Sequence, residues 1–480
     1  MPLRVPSRLW RRPVNAALTS ASFTAVLLLM TGCSSESSPV PAGANTPSAL
    51  SLNAAVRSAT LSPTESNRLL TVVSSGTQYY AAGFVTVSGD SHMAIARFGP
   101  TGELDTTFGT NGLATFNIAI GGKTAELARG IVVQSNGKIV VAGPIEHDPA
   151  ATGDAARDTD IAVLRVNTTG QLDPTFGSNG VVRLDLGTGV LDGATFRGDT
   201  SWGLTLLPND ELLVVGGKLA DGVGRTDLDY AVVKLTAEGT PDTGFGTSGL
   251  ITLDLSHSAD NPRTAVVQPD GNIVVSGHSG GPGGVLSTVL FRLTPTGQFD
   301  PTFGTAGVVN HALGLEIAEA YDVALQNTSL VIAGYGRPAG ATTVDVISAR
   351  FLADGTWDTA FGSGGLTQID VAGEHDRSRK LQVLPDGHLL IVGQGKPTAS
   401  TQDGAIVLLT PDGRRDTRLN GTGVALIDLG GPTDALFGLT LSPDKKSGLA
   451  VGWKGADPAL ASGPANHDDA RAVHFSVPAR

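Results

Sequence analysis

One short motif recurs six times with its internal offsets intact, and no other feature restricts the fold of this chain as strongly. The first copy runs from Gly102 through Asp105, Phe108 and Gly109 to Gly112. Copies follow at Gly170 (Asp173, Phe176, Gly177, Gly180), Gly239 (Asp242, Phe245, Gly246, Gly249), Gly297 (Asp300, Phe303, Gly304, Gly307) and Gly355 (Asp358, Phe361, Gly362, Gly365). The sixth, at Gly413, keeps Asp416 and Gly423 but has Leu419 and Asn420 where the others have Phe-Gly. The copies are spaced by 68, 69, 58, 58 and 58 residues. Two further signals keep the same rhythm. A strand-like run ends in glycine at Gly83, Gly143, Gly216, Gly277, Gly334, Gly393 and Gly452, usually after turn residues such as Pro269-Asp270-Gly271. A third apolar run begins at Met93, Ile161, Tyr230, Thr288, Val346, Ala405 and Ala470.

These runs are rich in Val, Ile and Leu without strict alternation, as strands covered on both faces require. Each unit reads as four short strands; in the second unit they are Ala128–Gln134, Lys138–Gly143, Ile161–Val166 and Val181–Leu186. Units of about 60 residues suit a propeller blade rather than a β-helix coil. The expected fold is therefore all-β: a seven-bladed β-propeller of four-stranded antiparallel blades. The last unit holds only three strands, Leu436–Ser442, Gly448–Trp453 and Arg471–Val477. Its missing strand is expected to come from Ala49–Val56, so that an N-terminal strand joins the last blade and closes the ring. The 63 glycines and the 16% share of charged residues suit many strands and tight turns.

Residues 1–32 read differently. Arg8, Arg11 and Arg12 precede an apolar stretch, Ala16–Met30, too short and too broken by Ser and Thr to span a bilayer. It ends in Leu29-Met30-Thr31-Gly32-Cys33, which resembles the lipobox of bacterial lipoproteins, although Met30 stands where that family usually has Leu. The resemblance implies a cleaved signal peptide over 1–32, lipidation at Cys33, and export to the cell envelope. By the same analogy, Ser34 after the cysteine implies the outer membrane of a Gram-negative cell. Residues 33–48 are Ser-, Pro- and Gly-rich and read as a flexible tether ahead of the propeller at 49–480. The net charge of −12 becomes about −16 once the four arginines of the leader are removed, which disfavours nucleic acid as a partner. A single cysteine excludes an intrachain disulfide.

The repeats also resemble the delta-60 repeat family, which joins a PDGK-I-V-V-A-G segment to an L-D-x-x-F-G-x-x-G segment; the best matches are Gln134–Gly143, Val267–Gly277 and the five intact motifs. The likeness covers roughly residues 60–477, implies a repeat fold, and implies no shared catalytic residues. On the residues themselves, Asp105, Asp173, Asp242, Asp300, Asp358 and Asp416 are expected to cap the turn as Asx residues. Phe108, Phe176, Phe245, Phe303 and Phe361 are expected to plug the gap between blades. A basic residue stands five positions ahead of each intact motif (Arg97, Arg165, Lys234, Arg292, Arg350) and suggests an Arg–Asp pair within each blade. In the sixth unit that position is Leu408. One acid per turn is too few to ligate calcium, so no metal is expected.

Regular repeats are scaffolding, and function is expected where the units differ. The variable loops share the face of the links between blades. They carry His147, Asp148, Arg157 and Asp158, then Asp192, Arg197 and Asp199, then Glu374, His375, Asp376 and Arg377. The sequence shows no nucleophile elbow, HExxH, CxxC pair or Walker loop. The reading is a non-catalytic envelope module, without cofactor, binding a protein or glycan through the variable face. The alternatives are a propeller enzyme of hydrolase, lyase or quinoprotein type with its site near the central channel, and a purely structural surface protein.

Overall fold

The computed structural model describes residues 54–477 apart from 60, 120–125, 149, 154–157, 193–194, 223, 256–259 and 458–465. Cys33, the leader, the tether and Arg157 lie outside the described residues. The chain divides into two compact units, Met1–Pro47 and Ser48–Arg480, and everything described belongs to the second. Among the described residues there is no α-helix, and no helix is long and apolar enough to cross a membrane.

The second unit is an all-β structure of antiparallel four-stranded meanders. In the motif-bearing segment that starts it, Asn67–Ser75, Gln78–Val87, Asp90–Phe98 and Leu113–Phe116 pair in chain order. Five sheets have four strands. An eight-stranded sheet is two such meanders, Asp260–His311 and Ile317–Ile369, joined by one parallel bridge between Leu286 and Ile317. The sheet holding the last three strands takes its fourth from the N-terminal side: Ala55–Ser58 runs antiparallel to Asp469–Ser476, with Val56 opposite Val473. That strand was expected over Ala49–Val56; its described part lies further along, and residues 49–53 are outside the description.

The third strands start earlier than their apolar runs suggest, at Asp90 rather than Met93 and at Thr401 rather than Ala405. Hydrophobicity marks the covered middle of a strand, whereas the hydrogen-bonded ladder continues into the polar residues before it. The variable loop that carries Asp192, Arg197 and Asp199 contains a small hairpin, Val190–Asp192 with Thr195–Arg197.

The first strands pack against one another in chain order. Asn67–Ser75 neighbours Gly130–Val133, and the series continues through Thr200–Leu206, Asp260–Val267, Ile317–Gln326, Arg377–Val383 and Ala435–Leu441, which packs back on Asn67–Ser75. The arrangement is that of a β-propeller with the first strands innermost. The apolar core lies between successive sheets, each cluster mixing residues of two neighbours, as where Val274 and Leu290 pack with Ile332 and Phe351.

The repeated turn locks this stacking. Each turn aspartate accepts a bond from the backbone N–H two residues on, from Thr107 to Asp105 (3.0 Å) through Arg418 to Asp416 (3.1 Å). Phe108, Phe176, Phe245, Phe303 and Phe361 are fully buried, as is Leu419. Each phenylalanine is covered by the glycine that opens the next motif: a Cβ on Gly170 would sit 3.0 Å from Phe108, and one on Gly413 2.5 Å from Phe361. The residue after the ring has positive φ, Gly109 at 54° and, in the sixth copy, Asn420 at 52°. Asparagine is the residue that best tolerates that conformation after glycine, which explains why the altered copy still turns.

Candidate functional site

The glycine that closes each second strand decides what faces the centre. At Gly83, Gly143, Gly216, Gly277, Gly334, Gly393 and Gly452 a Cβ would fall 1.7–2.2 Å from a backbone carbonyl of the adjoining first-strand segment. Only glycine permits that approach, and the first strand bulges directly after it. Register shifts skip one residue in six of the first strands, namely Leu70, Trp202, Arg263, Tyr321, Arg379 and Phe437. Arg129, just ahead of Gly130, occupies the matching place in the remaining one. A bulge re-aims a side chain out of the ladder, and all of these residues line one cavity of about 370 Å³.

Around that cavity, in the order in which the first strands pack, cations and aromatics alternate: Arg129, Trp202, Arg263, Tyr321, Arg379, Phe437. The Arg129 guanidinium lies 3.6 Å from the Trp202 ring centroid. Arg263 lies 4.2 Å from Trp202 and 4.3 Å from Tyr321; Arg379 lies 4.4 Å from Tyr321 and 4.6 Å from Phe437. Stacking on a ring face holds each guanidinium in place and keeps neighbouring cations apart. Arg263 also donates from Nη2 to the Tyr321 hydroxyl (3.3 Å) and from Nη1 to the Pro262 carbonyl (3.2 Å).

The charge in the cavity wall is incompletely balanced. Arg68 donates from Nε to Asp468 (2.7 Å), and Lys380 is 2.8 Å from Asp322. Among the described residues no carboxylate lies within 4 Å of the guanidinium of Arg129, Arg263 or Arg379. Burial, with Arg263 beside it, lowers Arg129 to about 10. The nearby acid, Glu319, is buried, accepts from the Tyr335 hydroxyl (2.6 Å) and has His278 Nε2 at 3.3 Å. Its burial raises its pKa, against the pull of Arg263, Arg377 and Arg379.

Variation between loops does not point to these residues, because the ring sits on the repeated strands. A signal did exist: Arg129, Trp202, Arg263 and Arg379 each stand 14 residues ahead of the second-strand glycine. The ring lies near the start of the first strands, the end into which the variable links feed, so the expected face adjoins it.

The residues predicted for the loop face are dispersed and mostly engaged. His147 Nδ1 is 2.8 Å from Asp160, a bond that raises the histidine's pKa. Asp148 caps its own turn at Ala150 (2.9 Å). Asp158 is buried and accepts from Thr159 (2.9 Å) and Gly189 (3.0 Å). Asp192 falls in the small hairpin, and Arg197 follows two residues after its turn strand begins. Asp199 and Asp376 are wholly buried. Asp199 accepts from Leu186 N–H, and Asp376 from Val371, Ala372 and Lys396 N–H, so each fastens the link entering its first strand. Burial pushes their carboxyls to about 7 and about 6. Glu126, Asp260 and Asp434 fasten the matching links. Glu374 is half-buried, His375 accepts from Val344 N–H (3.2 Å), and Arg377 lies 5.0 Å from the Tyr335 ring.

Acidic groups recur on the same side, with ligand atoms within 4.8 Å of one another: His147 with Asp160 and Asp185, Asp227 with Asp229 and Asp254, Asp345 with Asp370 and Asp376, and Asp403 with Asp428 and Asp434. Such groups could hold a divalent cation. In the first two a protein cation is already present: Arg183 pairs with Asp160, and Arg225 reaches all three aspartates of its group.

A family model described as a domain of unknown function (DUF5122) beta-propeller matches residues 78–108, 134–176, 268–303 and 384–418. Each segment runs from a second strand to the turn motif. No curated protein matches the chain. Among solved structures, the polysaccharide lyase Uly1 is 10% identical, with 85% of this chain and 89% of that one covered at a TM-score of 0.44. Sqt1 of Chaetomium thermophilum is 11% identical, covering 88% and 98% at 0.42. A protein of unknown function from Dyadobacter fermentans is also 11% identical, covering 88% and 99% at 0.39. Likenesses at this level leave the chemistry to be read from the chain's own residues. The four matched segments are similar to that family's repeat, and the sheets that contain them have the propeller arrangement described above.

Proposed function

We propose that this chain is an exported lipoprotein anchored through Cys33, whose mature part is a seven-bladed propeller acting as a non-catalytic binding module with its ligand seat in the central cavity. The blade count rests on the five four-stranded sheets together with the two halves of the eight-stranded one. Closure by the N-terminal strand rests on the pairing of Ala55–Ser58 with Asp469–Ser476. The observation that carries the binding reading is the convergence on one cavity of about 370 Å³ of the six bulged side chains and of Arg129 from the remaining first strand, a volume within the range of small-ligand sites. Four arginines line it, Arg68, Arg129, Arg263 and Arg379, and arginine binds anions but does not exchange protons at neutral pH. This moves the seat from the loops to the channel.

A propeller enzyme remains the second reading because of Tyr321. Burial alone would raise its hydroxyl, yet Arg263 and Arg379 outweigh burial and draw it below its usual range. A hydroxyl so placed suits a general base.

The test follows Trp202 and Trp453 emission in the purified full chain while saccharides and peptides from envelope extracts are titrated in. Binding should quench the signal and disappear in Trp202→Ala, while His147→Ala and Glu374→Ala bind normally. Loss in the loop variants with binding intact in Trp202→Ala would return the seat to the loop face. Product release that stops in Tyr321→Phe would establish the enzyme instead. Cys33→Ser should move the protein from the membrane fraction to the soluble one.

A further inference from the structure

Resting on the cavity reading above, we infer that the ligand is a short acidic oligosaccharide whose hexuronate carboxylate is held by Arg129, Arg263 and Arg379. Each guanidinium carbon lies over an aromatic ring, Arg129 over Trp202 (3.6 Å), Arg263 over Tyr321 (4.3 Å) and Arg379 over Phe437 (4.6 Å), and such a contact uses the cation's charge while leaving N–H donors for other acceptors. Arg263 is only 6% exposed, and its Nε has no acceptor; the Nε of Arg379 is likewise buried and unpartnered. Buried donors are rarely left unmade, and a carboxylate supplies two oxygens in the geometry a guanidinium accepts. The remaining cations of the wall already have Asp468 and Asp322.

Two features favour a saccharide over a bare oxyanion. The cavity is far larger than one oxyanion needs, and its wall adds Thr71, Thr264, Thr440 and Gln382 for hydroxyl groups beside the apolar Leu70 and Phe437 for a sugar's C–H face. The net charge, −12 for the whole chain and about −16 without the leader, makes a long polyanion costly to bring up to this surface, so the seat suits one or a few acidic residues.

The test is titration calorimetry and tryptophan emission on the purified full chain in detergent, using trigalacturonate, its neutral methyl ester, and sodium sulfate. Trigalacturonate should bind, the ester should bind at least tenfold more weakly, and added salt should weaken the acid selectively. Arg263→Gln should lose at least tenfold in affinity and Arg263→Lys less, with unchanged circular dichroism in both. Equal binding of acid and ester that is lost in Trp202→Ala would overturn the acidic ligand and leave the cavity seat standing. Trigalacturonate binding that ignores both Trp202→Ala and Arg263→Gln would overturn the cavity seat itself. No binding of either sugar, or sulfate matching the acid, overturns the inference.

Discussion

The arginine ahead of four of the turn motifs, Arg97, Arg165, Arg292 and Arg350, does three jobs at once, whereas Lys234 pairs with Asp242 and Glu211. Arg165, fully buried, donates from Nε to Asp173 (2.8 Å), from Nη1 to the Ala237 carbonyl in the next unit (2.7 Å), and lies 4.8 Å from the Phe176 ring. Arg350 repeats the pattern with Asp358 (2.7 Å), the Pro411 carbonyl (2.9 Å) and Phe361 (5.0 Å). One side chain thus ties the turn, the plug and the neighbouring blade. Where Leu408 replaces it, the charge returns from elsewhere: Arg418, two residues past Asp416, donates to it from Nε (2.8 Å) and from Nη2 (2.5 Å). Arg418→Thr should therefore cost about 1–3 kcal/mol by taking the guanidinium from a mostly buried carboxylate, which keeps only the backbone N–H of its own turn and His388. Leu408→Arg in that background should restore most of the loss, measured by urea unfolding; a double variant no better than the single one would sink the idea that Arg418 substitutes for the repeat arginine. The repeat's Arg–Asp spacing was legible in the sequence, but the substitution was not, because Arg418 sits outside the motif's fixed offsets.

At the scale of the element, the first strand is shaped from both ends. Its bulge depends on the second-strand glycine: a Cβ on Gly334 would meet the Glu319 carbonyl oxygen at 1.7 Å, with the Ala320 Cα at 3.1 Å behind it. Gly334→Ala should cost about 3 kcal/mol or more through overpacking against backbone. Gly76→Ala, at φ 57° with nothing within 4 Å, should cost only about 1–2 kcal/mol of backbone strain. Chemical denaturation of the two variants checks the contrast, and equal losses would refute the steric account. The seven glycines were plain in the sequence as strand ends. Their consequence was not, because a bulge is a property of two paired strands and no single strand carries it. The entry to the first strand is fastened by buried carboxyls, with Glu126, Asp199 and Asp260 raised to about 7, chiefly by burial. In the unfolded chain such groups titrate near 4, so between about pH 4 and pH 7 the folded state holds more protons. Stability should then rise as pH falls from 8 towards 6.5, and be lost as pH climbs through 7; below that range His278, His311, His388 and His474, held neutral by burial, oppose the gain. Asp105, Asp242, Asp300 and Asp358, whose pKa values are lowered, act in the opposite sense only at more acid pH. A calorimetric melting series should show this slope, flattened in Asp199→Asn/Asp260→Asn; a melting temperature that falls steadily from pH 8 to 6.5 would contradict it.

For the whole molecule, the question is what holds the two ends of a propeller together. The turn motifs bind each unit to its successor through bonds such as Gly109 N–H to the Thr169 carbonyl (3.0 Å) and Gly362 N–H to the Asp412 carbonyl (2.7 Å). The last unit has no such motif. In its place, Gly102 of the first motif packs on His474 and Leu449, and Asn67 receives a bond from Ala470 N–H (2.9 Å). The missing motif and the missing strand were both visible as a shortfall in the final repeat, which is why a closing strand could be expected there. Its exact residues were not, since a four-residue strand such as Ala55–Ser58 has too few positions to show a pattern. If that strand is the clasp, joining it covalently to its partner should stabilise the entire ring. Val56 and Val473 are register partners, and antiparallel partners have Cα separations that a disulfide can bridge. In a Cys33→Ser background, Val56→Cys/Val473→Cys should oxidise to an intramolecular bond without loss of native circular dichroism. Because the bond closes a loop of some four hundred residues, it should stabilise by about 3–5 kcal/mol, and the melting temperature should drop back on adding a reductant. Thiols that stay free under oxidising conditions in folded protein would mean that the N-terminal strand does not lie against Asp469–Ser476. A bond that forms but leaves the melt unchanged would mean that the strand is seated there without being what keeps the ring shut.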